Sequence, residues 1–482
     1  MSAFSMGATP STIPSVQQAY ELVKALKLQK AMQTGDSMKF NSAPGNAYPL
    51  KPESLDKTLI NTSYTMDDIQ LFKMIHREPV DNSITQHNEL TSYGENPGGG
   101  FFPEGGAPPQ DSATFVRQMN QIKYQGVAGG ITHQLSLQNT INESALTLET
   151  QTRTMHLLGK IERSLWHADS RLSALQYDGF FAQIDRKSPG TNIIDMHGKP
   201  LTQDVLIDGT TMIRSDPNYG KIDHLFCSIQ VKGDIQRSFI PQSRILAMDP
   251  SNDGVLRTGI RAIETPAGDV DLVGTTMMNR VGTMPTRPLG PSLAIPGAPT
   301  VGTVTTPSVA FSNYAATDAG SYSFFIVACN DVGSSAPVQV GTGPIAVAAG
   351  ASVQFTWTPA MGNDTKWLEV WKTTANGALS TLSKVMSVPN TDPVTQVANT
   401  AQATVTEFNE YMAGCETAIG MQMQKDVVRL DVLAAMLRIP QPLIGTTIPF
   451  LLVSYLCPVL LAPRRILKFK NIGRLAPQTV LV

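Results

Sequence analysis

This sequence predicts an α+β body interrupted by an inserted all-β module. Three observations carry that reading. Beyond Ser144 the chain repeats apolar residues at helical spacing, with Leu157, Ile161 and Leu165 at i, i+4 and i+8. On either side of residues 94–111 it alternates, as in Phe115, Arg117, Met119, Gln121 and Lys123, which is the period of a strand. From Pro288 to Val428 there is no arginine, and residues 296–402 are rich in Thr, Ala, Val, Ser and Gly.

Size and composition set the bounds. A chain of 482 residues exceeds one ordinary core and predicts two to four domains, and 41% hydrophobic residues supply large ones. With 37 basic and 39 acidic residues the net charge is −2, which does not signal avid binding to nucleic acid. Cys227, Cys329, Cys415 and Cys457 form no CxxC pair and read as buried thiols of a reducing cytoplasm. The start, "MSAFSMGATPSTIPS", lacks the basic and apolar regions of a secretory signal. The most apolar segment, residues 448–462, is fifteen residues long and broken by Pro449 and Pro458, so it reads as a buried strand pair and not as a membrane span.

The elements follow in order. "VQQAYELVKALKLQKAM" places Ala19, Leu22, Val23, Leu26 and Ala31 near one helical face, flanked by an extended arm. Asp67 to Met74 predicts one short helix headed by two acids. "NSITQHNELTSY" and "ATFVRQMNQIKYQG" predict a long hairpin around the tip "SYGENPGGGFFPEGGAPPQDS". One face of each strand is polar, so the hairpin is not expected to be fully buried in its own chain. Thr140 to Glu143 has capping-box spacing ahead of a helix of about 25 residues. Residues 178–285 read α/β, with a helix near Gln203–Asp216, a strand in "IDHLFCSI" and a strand pair around "ETPAGDVDL". The module, about 105–110 residues with Trp357, Trp367 and Trp371, shows strands in "TVGTVTT", "SYSFFIVACN", "ASVQFTWTP" and "KWLEVWKTT". After it the mixed character returns and closes in strands.

Known catalytic patterns are missing. Gly98, Gly99 and Gly100 lack the GxxxxGK[ST] phosphate-loop pattern, and no HExxH, GxSxG or EF-hand loop occurs. The seven histidines are scattered without metal-ligand spacing. No catalytic, cofactor-binding or metal-binding residue is therefore assigned, and no enzymatic role is expected. Arg464, Arg465, Lys468, Lys470 and Arg474 cluster near the C-terminus. They read as a charged strand end, or alternatively as a contact to nucleic acid or an acidic neighbouring subunit.

The order of features resembles the major capsid proteins of tailed double-stranded DNA phages, the Hong Kong 97-like fold. "ESLDKTLINTSYTMDDIQLFKMIHREPVDNSITQHNELTSYG", "LGKIERSLWHADSRL", "LQYDGFFAQIDRKSPGTNIIDMHGKPLT" and "YLCPVLLAPRRILKFKNIG" are similar to segments of those from large contractile-tailed phages. The likeness spans roughly residues 53–475, and residues 1–50 match poorly. "GSYSFFIVACNDVGSSAP" is similar to a fibronectin type III strand and its turn. The resemblance implies an N-terminal arm (1–75), an E-loop hairpin (76–128), a peripheral domain with its spine helix (129–177) and an axial/peripheral α/β part (178–290). An immunoglobulin- or fibronectin-like insertion (291–404) and the remaining axial domain with closing strands (405–482) complete it. No long leading segment is expected to be removed. The function so implied is self-assembly into hexamers and pentamers of an icosahedral head, with assembly in the host bacterial cytoplasm and residence in the virion. The partners implied are further copies of the chain, scaffold, portal and decoration proteins, and DNA held without sequence specificity, but no membrane. The tip residues Gly98, Gly99, Gly100, Phe101, Phe102 and Glu104 are the expected inter-subunit contact. Some members cross-link a Lys to an Asn between subunits, and no such pair is assigned. The alternatives are an encapsulin-like compartment shell and an extracellular adhesin or enzyme.

Overall fold

The computed structural model describes residues 63–94, 101–108, 110, 112–138, 144–188, 190–243, 261–278, 284–291, 294–360, 364–391, 399 and 401–475. The predicted helix at residues 16–32 and the Thr140–Glu143 box lie outside them. The predicted helix over Asp67–Met74 is two pieces, a 3-10 turn at Met66–Asp68 and helix α1 at Leu71–Met74. Asp67 and Asp68 do fall in the first turn of the leading piece, and Asp68 Oδ2 accepts the Thr65 backbone N–H at 2.9 Å. Strands β1 (His76–Pro79), β2 (Ile84–Ser92), β3 (Thr114–Gln121) and β4 (Lys123–Thr132) follow. β2 and β3 pair as an antiparallel ribbon, separate from the larger sheets. Buried Ile122 marks the break between β3 and β4, and its N–H donates to Ser83 O at 2.9 Å.

Helix α2 (His133–Leu137) leads to α3 (Ala145–His167). The α3 cap is Ser144, whose hydroxyl accepts the Thr147 N–H at 3.3 Å. Leu157, Ile161 and Leu165 are buried as the periodicity predicts, and Leu158 and Trp166 are buried beside them. They pack under a four-stranded sheet of order β1-β17-β18-β4, where β17 is Val428–Pro440 and β18 is Thr447–Leu460. The apolar segment at 448–462 is thus one fourteen-residue strand and not a strand pair. It runs centrally, with β17 on one side and β4 on the other. Pairing to β4 stops at Leu456, so Pro458 sits where one edge is open. Gln183 of α4 (Phe180–Lys187) covers that edge. Its amide donates to Pro458 O at 2.8 Å, and its carbonyl accepts from Leu460 N at 3.0 Å.

A second core lies in a six-stranded sheet of order β5-β19-β16-β6-β8-β7. Its strands are β5 (Ile193–Asp195), β6 (His224–Cys227), β7 (Ala262–Thr265), β8 (Gly268–Gly274), β16 (Glu416–Met421) and β19 (Leu467–Ile472). Helices α5 (Gln203–Arg214) and α6 (Ile229–Ser243) pack on it through Leu206, Ile213, Val231 and Ile235.

The third core belongs to the predicted module. Strands β10 (Gly320–Cys329), β11 (Val338–Val347), β13 (Trp367–Lys372) and β14 (Ser383–Pro389) form one sheet of order β11-β10-β13-β14. Strands β9 (Thr300–Thr305), β12 (Val353–Thr358) and β15 (Ala403–Glu407) form another, of order β15-β12-β9. Phe324, Ile326, Leu368 and Val370 from the first sheet meet Val353, Phe355, Trp357 and Val405 from the second. Among the described residues, the first two cores hold no residue between 291 and 404.

Candidate assembly interface

Register decides what the β2–β3 ribbon shows to solvent. Ile84 pairs with Gln121, Gln86 with Met119, Asn88 with Arg117 and Leu90 with Phe115, so these eight side chains share one face. Thr85 with Asn120, His87 with Gln118 and Glu89 with Val116 share the other. On the first face Ile84, Leu90, Phe115 and Met119 are 54%, 38%, 67% and 68% exposed. On the second, Thr85, His87, Glu89, Gln118 and Asn120 are half-buried. Burial there pulls the His87 pKa down, with Lys187 and Arg429 adding to the effect and Asp431 opposing it. The ribbon therefore turns a polar face to its own body and a mixed face outward, on which Ile84, Leu90, Phe115 and Met119 stand exposed among Gln86, Asn88, Arg117 and Gln121, the reverse of an ordinary half-buried sheet. Sequence reading found the alternation and the polar face, but placed neither on a side.

At the tip, Gly98, Gly99 and Gly100 lie outside the described residues. Phe101 and Phe102 are 92% and 53% exposed, and Glu104 is exposed. Gly106 N donates to Pro103 O at 2.9 Å, closing a turn whose third residue, Gly105, has φ 76°, a type II requirement for glycine. At the base, Lys123 Nζ donates to Gln121 Oε1 at 2.8 Å and Ala174 O at 2.7 Å, and Tyr124 meets Tyr455 edge-on at 4.8 Å. A second exposed apolar group, Leu437, Leu443 and Ile444, lies at the β17–β18 turn, and no sequence signal pointed to it.

The basic stretch is largely occupied within the chain. Lys468 is fully buried, paired with Asp185 and donating to the Tyr411 hydroxyl at 2.8 Å. Lys470 pairs with Asp195 at 3.4 Å. Arg474 donates to Asp234 Oδ2 at 2.7 Å and Gln230 Oε1 at 2.8 Å, tying β19 to α6. Arg464 and Arg465 stand on a 3-10 turn ahead of β19, with Arg464 exposed. A cleft of about 480 Å³ between α4 and β14 is lined by Asp185, Arg186, Glu369 and Lys384. Its charges largely satisfy one another, as in Lys384–Glu369 at 3.1 Å and Arg186–Asp169. Among the described residues no group of three or more His, Cys, Asp or Glu is placed to hold a metal ion. Among them, too, no helix is long and apolar enough to cross a membrane.

No protein-family model matches the chain. The major capsid proteins of Staphylococcus phage S25-3 and Staphylococcus phage K each align over 475 residues at 22% identity, covering 96% of this chain and 98% of theirs. This chain is similar to phage major capsid proteins over nearly its whole length. The uncovered 4% amounts to about 19 of 482 residues, so the match enters the first fifty residues, where the sequence reading saw little likeness. Among solved structures, the capsid of the native GTA particle aligns with TM-score 0.44 at 7% identity, covering 91% of this chain and all of that one. The Gordonia phage Cozz structure gives 0.43 at 10% identity, covering 90% and 98%. An encapsulin complex from Synechococcus elongatus gives 0.37 at 8% identity, covering 88% and 93%.

Proposed function

We propose that this chain is the major capsid protein of a double-stranded DNA phage, and that its copies join as hexamers and pentamers into an icosahedral head. The near full-length, reciprocal match to staphylococcal phage capsid proteins carries the proposal. The exposed Ile84, Leu90, Phe115 and Met119 on the ribbon's outward face support it, because such side chains are a liability in a monomer and a resource in an assembly. Covering what Ile84, Leu90, Phe115 and Met119 still expose contributes roughly 3–7 kcal/mol per ribbon, before the cost of association. The role is structural and not catalytic, and the relatives' name favours a phage head over an encapsulin-like compartment.

In finer detail we read the chain as Hong Kong 97-like. Residues 1–75 are the arm, 76–128 the E-loop, 129–177 the peripheral domain with α3 as spine, and 178–290 the axial/peripheral part. Residues 291–404 are an immunoglobulin-like insertion and 405–482 close the axial domain. The shared core of two antiparallel sheets supports the insertion reading. Gly98, Gly99, Gly100, Phe101, Phe102 and Glu104 reach a neighbouring subunit, and exposed Arg464 with half-buried Arg465 is the remaining basic contact. Scaffold, portal and decoration proteins are the further partners. A net charge of −2 suits a wall that encloses DNA without gripping it. Assembly takes place in the bacterial cytoplasm, and the product is the virion.

The test is negative-stain microscopy of the purified chain. Closed shells or capsomer rings are expected, and a monodisperse monomer at every concentration tried overturns the proposal.

A further inference from the structure

The inserted module encloses a reactive set of side chains that shell formation does not use. Lys372, the last residue of β13, is fully buried. Glu407 ends β15, Asn409 follows it, and both are 2% exposed. Lys372 Nζ donates to Glu407 Oε1 at 2.7 Å and to the Asn409 side-chain carbonyl Oδ1 at 2.6 Å. It also lies 3.4 Å from the Tyr314 hydroxyl. The Asn409 backbone N–H donates to the same Glu407 Oε1 at 2.9 Å. Asn409 Nδ2 donates to Asp318 Oδ2 at 3.2 Å and Asn313 O at 3.3 Å, which fixes the carboxamide in place. The rings of Tyr314 and Tyr322 wall the site, with centroids 5.0 and 5.7 Å from Nζ.

An ion pair alone accounts for a buried lysine beside a carboxylate. It does not account for a carboxamide carbon held against the amine. With Nζ 2.6 Å from Oδ1, a carbonyl bond of about 1.23 Å keeps Cγ within about 3.8 Å of Nζ, close to attack distance. Attack requires the amine without its extra proton, and Glu407, 2.7 Å from Nζ, is the base placed to take it.

We propose that Lys372 and Asn409 join in an isopeptide bond within the chain, with Glu407 as the proton carrier. Neutral Nζ attacks Asn409 Cγ to form the new C–N bond. Both nitrogens then sit on one tetrahedral carbon, within reach of one carboxyl. Glu407 gives its proton to the departing Nδ2 and takes one from Nζ. The Cγ–Nδ2 bond breaks and ammonia leaves. Glu407 is left protonated and returns to the carboxylate as the ammonia departs with that proton as ammonium, and no oxidant or other reactant is consumed. The bond ties β13, in the four-stranded sheet, to the residues just beyond β15, in the three-stranded one. It is an inter-sheet staple that no reductant opens, set just before the chain leaves the module for β16. It lies inside one module of one subunit, and so differs from cross-links between subunits.

The decisive measurement is mass spectrometry of the purified full chain. The expected mass is about 17 Da below the sequence value, one ammonia. Digestion is expected to release a branched peptide joining the Lys372 and Asn409 segments. A cyclised asparagine loses the same mass but leaves the two peptides separate, which overturns the proposal, as does an unshifted mass. Glu407→Gln and Lys372→Met are each expected to restore the full sequence mass. A Glu407→Gln chain that still yields the branched peptide removes Glu407 from its role. Should neither variant fold, the wild-type digest alone decides.

Discussion

Glu162 is fully buried on α3, where its two carboxylate oxygens accept the Leu71 and Phe72 backbone N–H groups, each at 2.9 Å. It caps α1 from a distance of ninety residues in sequence. Glu162→Ala leaves one buried and one half-buried donor unpaired, so a loss of about 2–4 kcal/mol is expected by urea unfolding of unassembled protein. Asp178 shows the opposite kind of dependence. Its partial burial raises its pKa, but hydrogen bonds from Ser170 and the Arg186 guanidinium at 2.7 Å outweigh that and hold it below the usual carboxylate range. A depressed folded-state pKa contributes stability above the unfolded value of about 4, and that stability is lost as pH falls through the folded value. Asp178→Asn is therefore expected to lower Tm at pH 7, with the gap to wild type closing as pH drops below about 4. Thermal melts of both proteins across that range check it. Next to it, a Cβ on Gly179 meets the backbone carbonyls of Ser164, Leu165 and Trp166 at 2.8–2.9 Å. Backbone there cannot give way, so Gly179→Ala is expected to cost about 1–3 kcal/mol in the same assay.

At the scale of elements the ribbon is the informative case. A lone two-stranded hairpin is marginal in water. This one is anchored by Ile122 and Lys123 at its base and by its half-buried polar face, which leaves the face carrying Ile84, Leu90, Phe115 and Met119 free to meet another surface. Phe115→Glu with Met119→Glu is expected to abolish shells while leaving Tm of the unassembled chain within about 2 °C of wild type, since both positions are solvent-exposed. Microscopy and melting curves on the same sample check both halves. The alternation of Phe115, Arg117 and Met119 was legible as a strand because a period of two is local. The segment "LDVLAAMLRIP" was not, since Leu, Ala and Met favour helix and only pairing with β18 makes it β17. Helix α6 escaped for the same reason. Its core contacts, Val231 and Ile235, are one turn apart and give too little periodic signal.

For the whole molecule, the three large cores of the described residues divide the labour. The module draws its core from Tyr314 to Val405, with Tyr411 packed against it, and contributes nothing to the other two among the described residues. A fragment of residues 291–412 is therefore expected to fold alone, giving one cooperative unfolding transition by tryptophan fluorescence. A non-cooperative slope would show that the body is needed to complete it. The last strands do the reverse. β17 and β18 extend the first sheet, while β16 and β19 lie in the second, so the chain beyond the module stitches both body cores together.

The sequence by itself determined the features whose signal is local. These are the spine-like α3 from its apolar stripe, the two ribbon strands from their alternation, and the module from its missing arginines and strand spacing. The order of those features also pointed to the capsid relatives. Only the tertiary structure decided which face of the ribbon looks outward, because that depends on what the base of the hairpin is fastened to. It alone joined Glu162 to α1, turned the basic stretch inward onto Asp185, Asp195 and Asp234, and set Lys372 against Asn409. Each of these partners is remote in sequence, and no pattern along the chain encodes a contact made only when two sheets close on each other.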